Sequence, residues 1–139
     1  MTLLGPPGTR LSHWYVVFTD ASHYGGNKHW LRYCRPGYRH VMLTRYDGGG
    51  RWQIVSSHAR ALEVATLPNF GDYVRWLYEQ GAKVLVFRQW RRPEQPRRQM
   101  MNCVTTTAHV LGVRVPWHVV TPWRLSRYLV SQGATEYKP

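Results

Sequence analysis

The sequence predicts an α+β domain with a mainly antiparallel sheet packed with helices, and two observations carry that reading. Strand-like runs crowd the first half of the chain and helical patterns come later, in the order strands, helix, strand, two helices. Two of the strand runs are also joined directly by Asp47-Gly48-Gly49-Gly50, turn chemistry that links antiparallel neighbours. At 139 residues the chain is long enough to bury one core. No internal repeat or second-domain boundary is evident, so residues 1–139 read as one domain, with 1–11 as an extended N-terminal arm.

"HWYVVFTD" (13–20) is aromatic and β-branched, as a buried strand is. In "YRHVMLTRYDGGGRWQIVSSH", runs 39–46 and 51–57 flank the glycines and predict a hairpin. "ALEVATLP" (61–68) adds a strand. "NFGDYVRWLYEQGA" (69–82) predicts a helix, with Tyr73, Val74 and Leu77 at core spacing and Gly81 in the C′ position. "KVLVFRQW" (83–90) is again strand-like. Asn102 is a good N-cap for a helix over 103–111, which Gly112 ends. After a short extended stretch (113–120), Thr121-Pro122 opens a helix that closes on Gly133.

Composition narrows the function classes. Lys and Arg number 19 against 7 Asp and Glu, a net charge of +12; such a field attracts polyanions. No apolar run approaches the roughly 20 residues of a membrane span. The N-terminal stretch lacks the layout of a signal peptide, so synthesis in a cytoplasm is expected. Two cysteines, Cys34 and Cys103, with no Cys-x-x-Cys, argue against a disulfide framework and a cysteine-rich zinc site. The histidines show no metal-ligand spacing, and no phosphate-cradling glycine loop occurs, so no cofactor is expected.

One thiol has the placement of a nucleophile. Cys103 falls in the first turn of the Asn102-capped helix, where unpaired N–H groups, the helix dipole and nearby Arg97 and Arg98 favour a thiolate. A buried, inert thiol is the plain alternative, since free cysteines are commonly core residues. His40, which opens the first hairpin strand, is the candidate general base. Hairpin pairing brings it opposite Ser57 or His58, either of which could hold its second ring nitrogen. His109, six residues after Cys103 on one helix, faces elsewhere and reads as surface or packing.

These residues resemble a family. The histidine-first hairpin "GYRHVMLTRYDGGGRWQIV", then "NCVTTTAHVLG", then "TPWRLSRYL" are similar to the circularly permuted papain-like cysteine hydrolases. That group comprises the NlpC-type and lecithin:retinol acyltransferase-like proteins, and the small size and "WYVVFTD" opening also resemble bacteriophage proteins of that fold. The resemblance spans about residues 13–133. It implies a permuted papain-like fold whose cysteine helix delivers Cys103 beside His40. The third, histidine-orienting residue would be Ser56, Ser57 or His58, of which only His58 is of the usual type. The Cys103 backbone N–H would stabilise the oxyanion, and His13, Trp14 or Tyr15 would line the cleft. The implied activity is thiol-dependent amide hydrolysis through an acyl-enzyme, with a peptide substrate, foremost in peptidoglycan.

A rival class rests on charge. "RQWRRPEQPRRQ" holds Arg88, Arg91, Arg92, Arg97 and Arg98 around Trp90, which suits phosphate contacts and base stacking. The same residues also read as a solvated loop. In the binding reading the chain is a noncatalytic virion component of the same fold, docking to virion proteins or, without sequence preference, to nucleic acid.

Overall fold

The computed structural model describes residues 12–20, 34–58, 61–89 and 103–139. Among these, six strands and three helices follow in the order β1 (Ser12–Thr19), β2 (His40–Gly48), β3 (Arg51–His58), β4 (Ala61–Leu67), α1 (Tyr73–Glu79), β5 (Lys83–Gln89), α2 (Cys103–Leu111), α3 (Pro122–Ser131) and β6 (Thr135–Glu136). The strands form one sheet in the order β4-β3-β2-β1-β5-β6, and every neighbouring pair is antiparallel. The α+β class and the antiparallel sheet are therefore as expected.

The β2–β3 hairpin turns on Gly49 and Gly50, with φ of 59° and 77°, between paired Gly48 and Arg51. Both central residues of such a turn need positive φ, which glycine adopts without strain.

Each sheet face has its own core, because successive strand side chains point in opposite directions. Trp14, Val16 and Phe18 of β1 share one cluster with Val41, Leu43 and Val55 and with α2 and α3 residues such as Val104, Leu111, Leu125 and Leu129. Val17, Trp52 and Val84 face the other way, against Val74 and Leu77 of α1. The central strand β1 is thus covered on both faces, which explains its nearly continuous apolar run.

Helix α1 is shorter than the predicted 69–82. Asn69 takes a left-handed φ of 55°, and the Phe70 N–H is used by the Gly50 carbonyl at 3.1 Å. Only then does Asp72 cap the helix, its carboxylate accepting from the Arg75 N–H at 3.0 Å. The other end behaves as predicted, with Gly81 at φ 97° and the Ala82 N–H closing back on the Leu77 carbonyl at 3.2 Å. Strand β6, two exposed residues paired to β5, was not expected. Within residues 113–120, expected as extended, a turn forms at 117–118, where the Val119 N–H meets the Pro116 carbonyl at 3.0 Å.

Candidate functional site

Strand β2 carries the candidate base at its first residue, and local contacts fix that entry. The Asp20 carboxylate, just past β1, accepts the Gly37 N–H at 2.6 Å and pairs with Arg39 Nε at 3.8 Å. His40 follows at once. Its Nε2 stands 3.0 Å from the Ser56 hydroxyl on β3. Ser56 pairs in register with Met42, so it shares a sheet face with His40 and Met42. Of the three candidate orienting residues, Ser56 is the one seen at the imidazole. The side chains of Ser57 and His58 lie outside the described residues.

His40 and Ser56 line a cavity of about 640 Å³ between the sheet and α1. Met42 and Ile54 extend its floor, while Tyr73 and Trp76 of α1 form a wall. Glu63, the β4 partner of Ser56 in register, also reaches the lining. His13, Trp14 and Tyr15 do not line this cavity. Trp14 belongs to the opposite core, and the His13 ring packs on Tyr15 with centroids 5.1 Å apart. Burial, reinforced by the Arg88 charge, lowers the His13 pKa below the ordinary imidazole value.

Cys103 occupies the first helical residue of α2, as predicted. Its environment is the core: it is buried with Val41, Leu43 and Val55, the strand residues that point away from the His40 cavity. No hydrogen bond joins the thiol to His40 among the described residues, and Cys103 is absent from the cavity lining. The arrangement thus differs from the one the resemblance implies, in which a helix delivers the thiol beside the imidazole. The physical reason is strand alternation. Val41 faces α2, so its neighbour His40 faces α1.

The expected thiolate activation is outweighed as well. Backbone N–H groups of Val41, Val104 and Cys103 point at the sulfur and favour the anion, but burial is the larger influence and raises the thiol pKa. Cys34, also buried and unbridged, has its pKa raised by burial first and by the neighbouring Cys103 second, against the opposing Arg39 charge. The arginines expected to assist, Arg97 and Arg98, lie outside the described residues together with Asn102, Arg91, Arg92 and Trp90. Arg88 is described. It is exposed on β5, opposite His13.

These buried acids give a pH dependence with a definite sign. Cys34, Cys103, Tyr15 and Tyr73 all hold their protons more tightly when folded, burial being the leading cause in each. Unfolded thiols and phenols release theirs near about pH 8.5 and 10. The stabilisation is complete below those values and is lost as pH rises through the higher folded ones. Urea midpoints are therefore expected to fall steadily from about pH 8.5 upward, less steeply in Cys103→Ala. A flat alkaline profile would contradict it.

No group of His, Cys, Asp or Glu among the described residues is arranged to hold a metal ion, and no helix there is long and apolar enough to cross a membrane. His109 is exposed on α2. Comparisons with protein-family models, curated proteins and solved structures found no match.

Two features escaped the sequence reading. Trp117, in the turn between α2 and α3, is 76% exposed. The Arg35 guanidinium lies 4.8 Å from the Trp123 ring centroid on α3. Neither has a motif; the available signal was the absence of acidic residues from 95 to 135.

Proposed function

We propose that this chain is a noncatalytic binding protein that docks on polyanions, nucleic acid or acidic virion proteins, through a basic surface. The observation that carries the reading is unneutralised charge. Arg51, Lys83, Arg114, Arg127 and Lys138 are exposed and make no ion pair among the described residues, whose ion pairs use Arg39 and Arg75. Exposed cations without acidic neighbours keep their field for an external anion. The buried, proton-retaining Cys103 and its separation from His40 across the sheet weigh in the same direction.

The test is a salt titration of binding to a labelled oligonucleotide. Neutralising about four phosphates of a single strand predicts roughly a 50-fold loss of affinity between about 50 and 200 mM salt. Affinity unchanged over that range would sink the reading.

A second reading, the thiol-dependent amidase acting on peptide or peptidoglycan, is favoured by one observation. The backbone N–H groups of Val41, Val104 and Cys103 itself favour the thiolate, although burial outweighs them. The reactivity of Cys103 distinguishes the two.

A further inference from the structure

We infer that the turn between α2 and α3, with the outward face of α3, is a binding site for single-stranded nucleic acid in which Trp117 stacks on a base. The inference rests on the polyanion reading above and assigns it a place and a class of ligand.

The site is a contiguous set of aromatic and cationic groups. Trp117 stands at its centre, 76% exposed, with its ring set edge-on against His118, centroids 5.7 Å apart. The His118 carbonyl in turn accepts from the Arg124 guanidinium at 3.2 Å, which holds that cation beside the turn. Arg124, Arg127 and Tyr128 occupy neighbouring positions on one face of α3, at spacings of three and four. The Tyr128 hydroxyl donates to the Arg114 carbonyl at 3.1 Å, which brings a third arginine to the same edge. Arg35 stacks over Trp123 at 4.8 Å and adds a fourth. No Asp or Glu occurs between residues 95 and 135, so α2, the turn and α3 supply no acid to these guanidinium groups.

The chemistry of the set selects the ligand. An indole that is largely exposed leaves the transfer energy of its apolar surface unrealised, and a base offers a flat partner for it. Stacking accepts any base, and arginines spaced around it meet successive phosphates. A duplex hides its base faces within the stack, so it can use the arginines but not Trp117. A lipid surface is the less suited partner. The exposed residues of α3 are Arg124, Arg127, Val130 and Ser131, one apolar side chain among three polar ones, and insertion into a bilayer interface favours a continuous apolar face.

The experiment measures anisotropy of labelled oligothymidine, of a duplex of equal length and of phosphatidylserine-rich vesicles with the full chain at low salt. The expected result is tighter binding to the single strand than to the duplex, with Trp117→Ala lowering single-strand affinity about tenfold and leaving duplex affinity within about twofold. Trp117→Phe should restore most of the loss. Arg124→Ala combined with Arg127→Ala should weaken both nucleic acids and flatten the salt dependence by about one to two units of slope. Because Trp117 is exposed, circular dichroism and the thermal midpoint should be unchanged in Trp117→Ala. If Trp117→Ala binds the single strand like the wild type, the site is wrong while the polyanion reading stands. If the wild type binds no nucleic acid at low salt, both fail. Vesicle binding lost in Trp117→Ala with single-strand binding intact would overturn the assignment in favour of a membrane surface.

Discussion

Phe18→Ala is expected to lower stability by about 3–5 kcal/mol. The side chain is fully buried near the end of β1, an interior strand of the sheet. Its neighbours come from three directions: Val41 pairs with it on β2, Lys83 on β5, and the Tyr38 ring lies 5.4 Å away. Removing the ring forfeits its transfer energy and leaves a void that a central strand, hydrogen-bonded on both sides, is poorly placed to collapse. A domain of this size has about 5–15 kcal/mol in total, so the loss is a large share of it. The thermal midpoint should fall by about 10–15 °C, whereas Phe18→Leu should cost roughly 1.5 kcal/mol or less. Urea unfolding followed by circular dichroism checks both. A Phe18→Ala protein as stable as the wild type would mean that the α2 face is not the principal core.

Cys103 in the folded protein should react with iodoacetamide at least about 100-fold more slowly than in the urea-unfolded chain at neutral pH. Two effects combine. The thiol is 8% exposed, so the reagent waits for local opening, and burial keeps it protonated although only the thiolate attacks. Peptide mapping separates its modification from that of Cys34, which is also buried. His40→Ala should leave the rate unchanged, because the imidazole faces the α1 cavity beside Ser56. Rapid modification of the native protein that is lost in His40→Ala would instead support the thiol hydrolase and remove the ground for a purely binding role.

The punctuation of the fold was legible because it rests on single-residue chemistry. Gly49 and Gly50 announce a turn that requires positive φ, and Thr121-Pro122 and Gly133 mark the ends of α3 through a side-chain acceptor, a fixed dihedral and a left-handed residue. What depended on distant partners was not legible. Helix α1 begins late because Phe70 is claimed by Gly50, about twenty residues away in sequence. Strand β6 exists only because β5 offers an edge, and its two residues have no pattern of their own.

The site was half legible for a related reason. Hairpin pairing put His40 near the end of β3, and the structure shows the Ser56 hydroxyl at its imidazole. Which face His40 shares with which helix was hidden, because "VML" is apolar at successive positions and fits a core on either side. Trp117 was invisible because exposure is a tertiary property and nothing about its neighbours Pro116 and His118 sets it apart.

The placement of Val41 and His40 on opposite sides of one strand makes the sheet a partition. The chamber beside α1 and the thiol beside α2 draw on separate sets of side chains, so substitutions in one should add to those in the other with little coupling where they are not in contact. The molecule can therefore change what its chamber admits, through Met42, Ile54 or Trp76, while the packing around Cys103 stays as it is. Strand order and alternation give one small domain two rooms that can be refurnished independently.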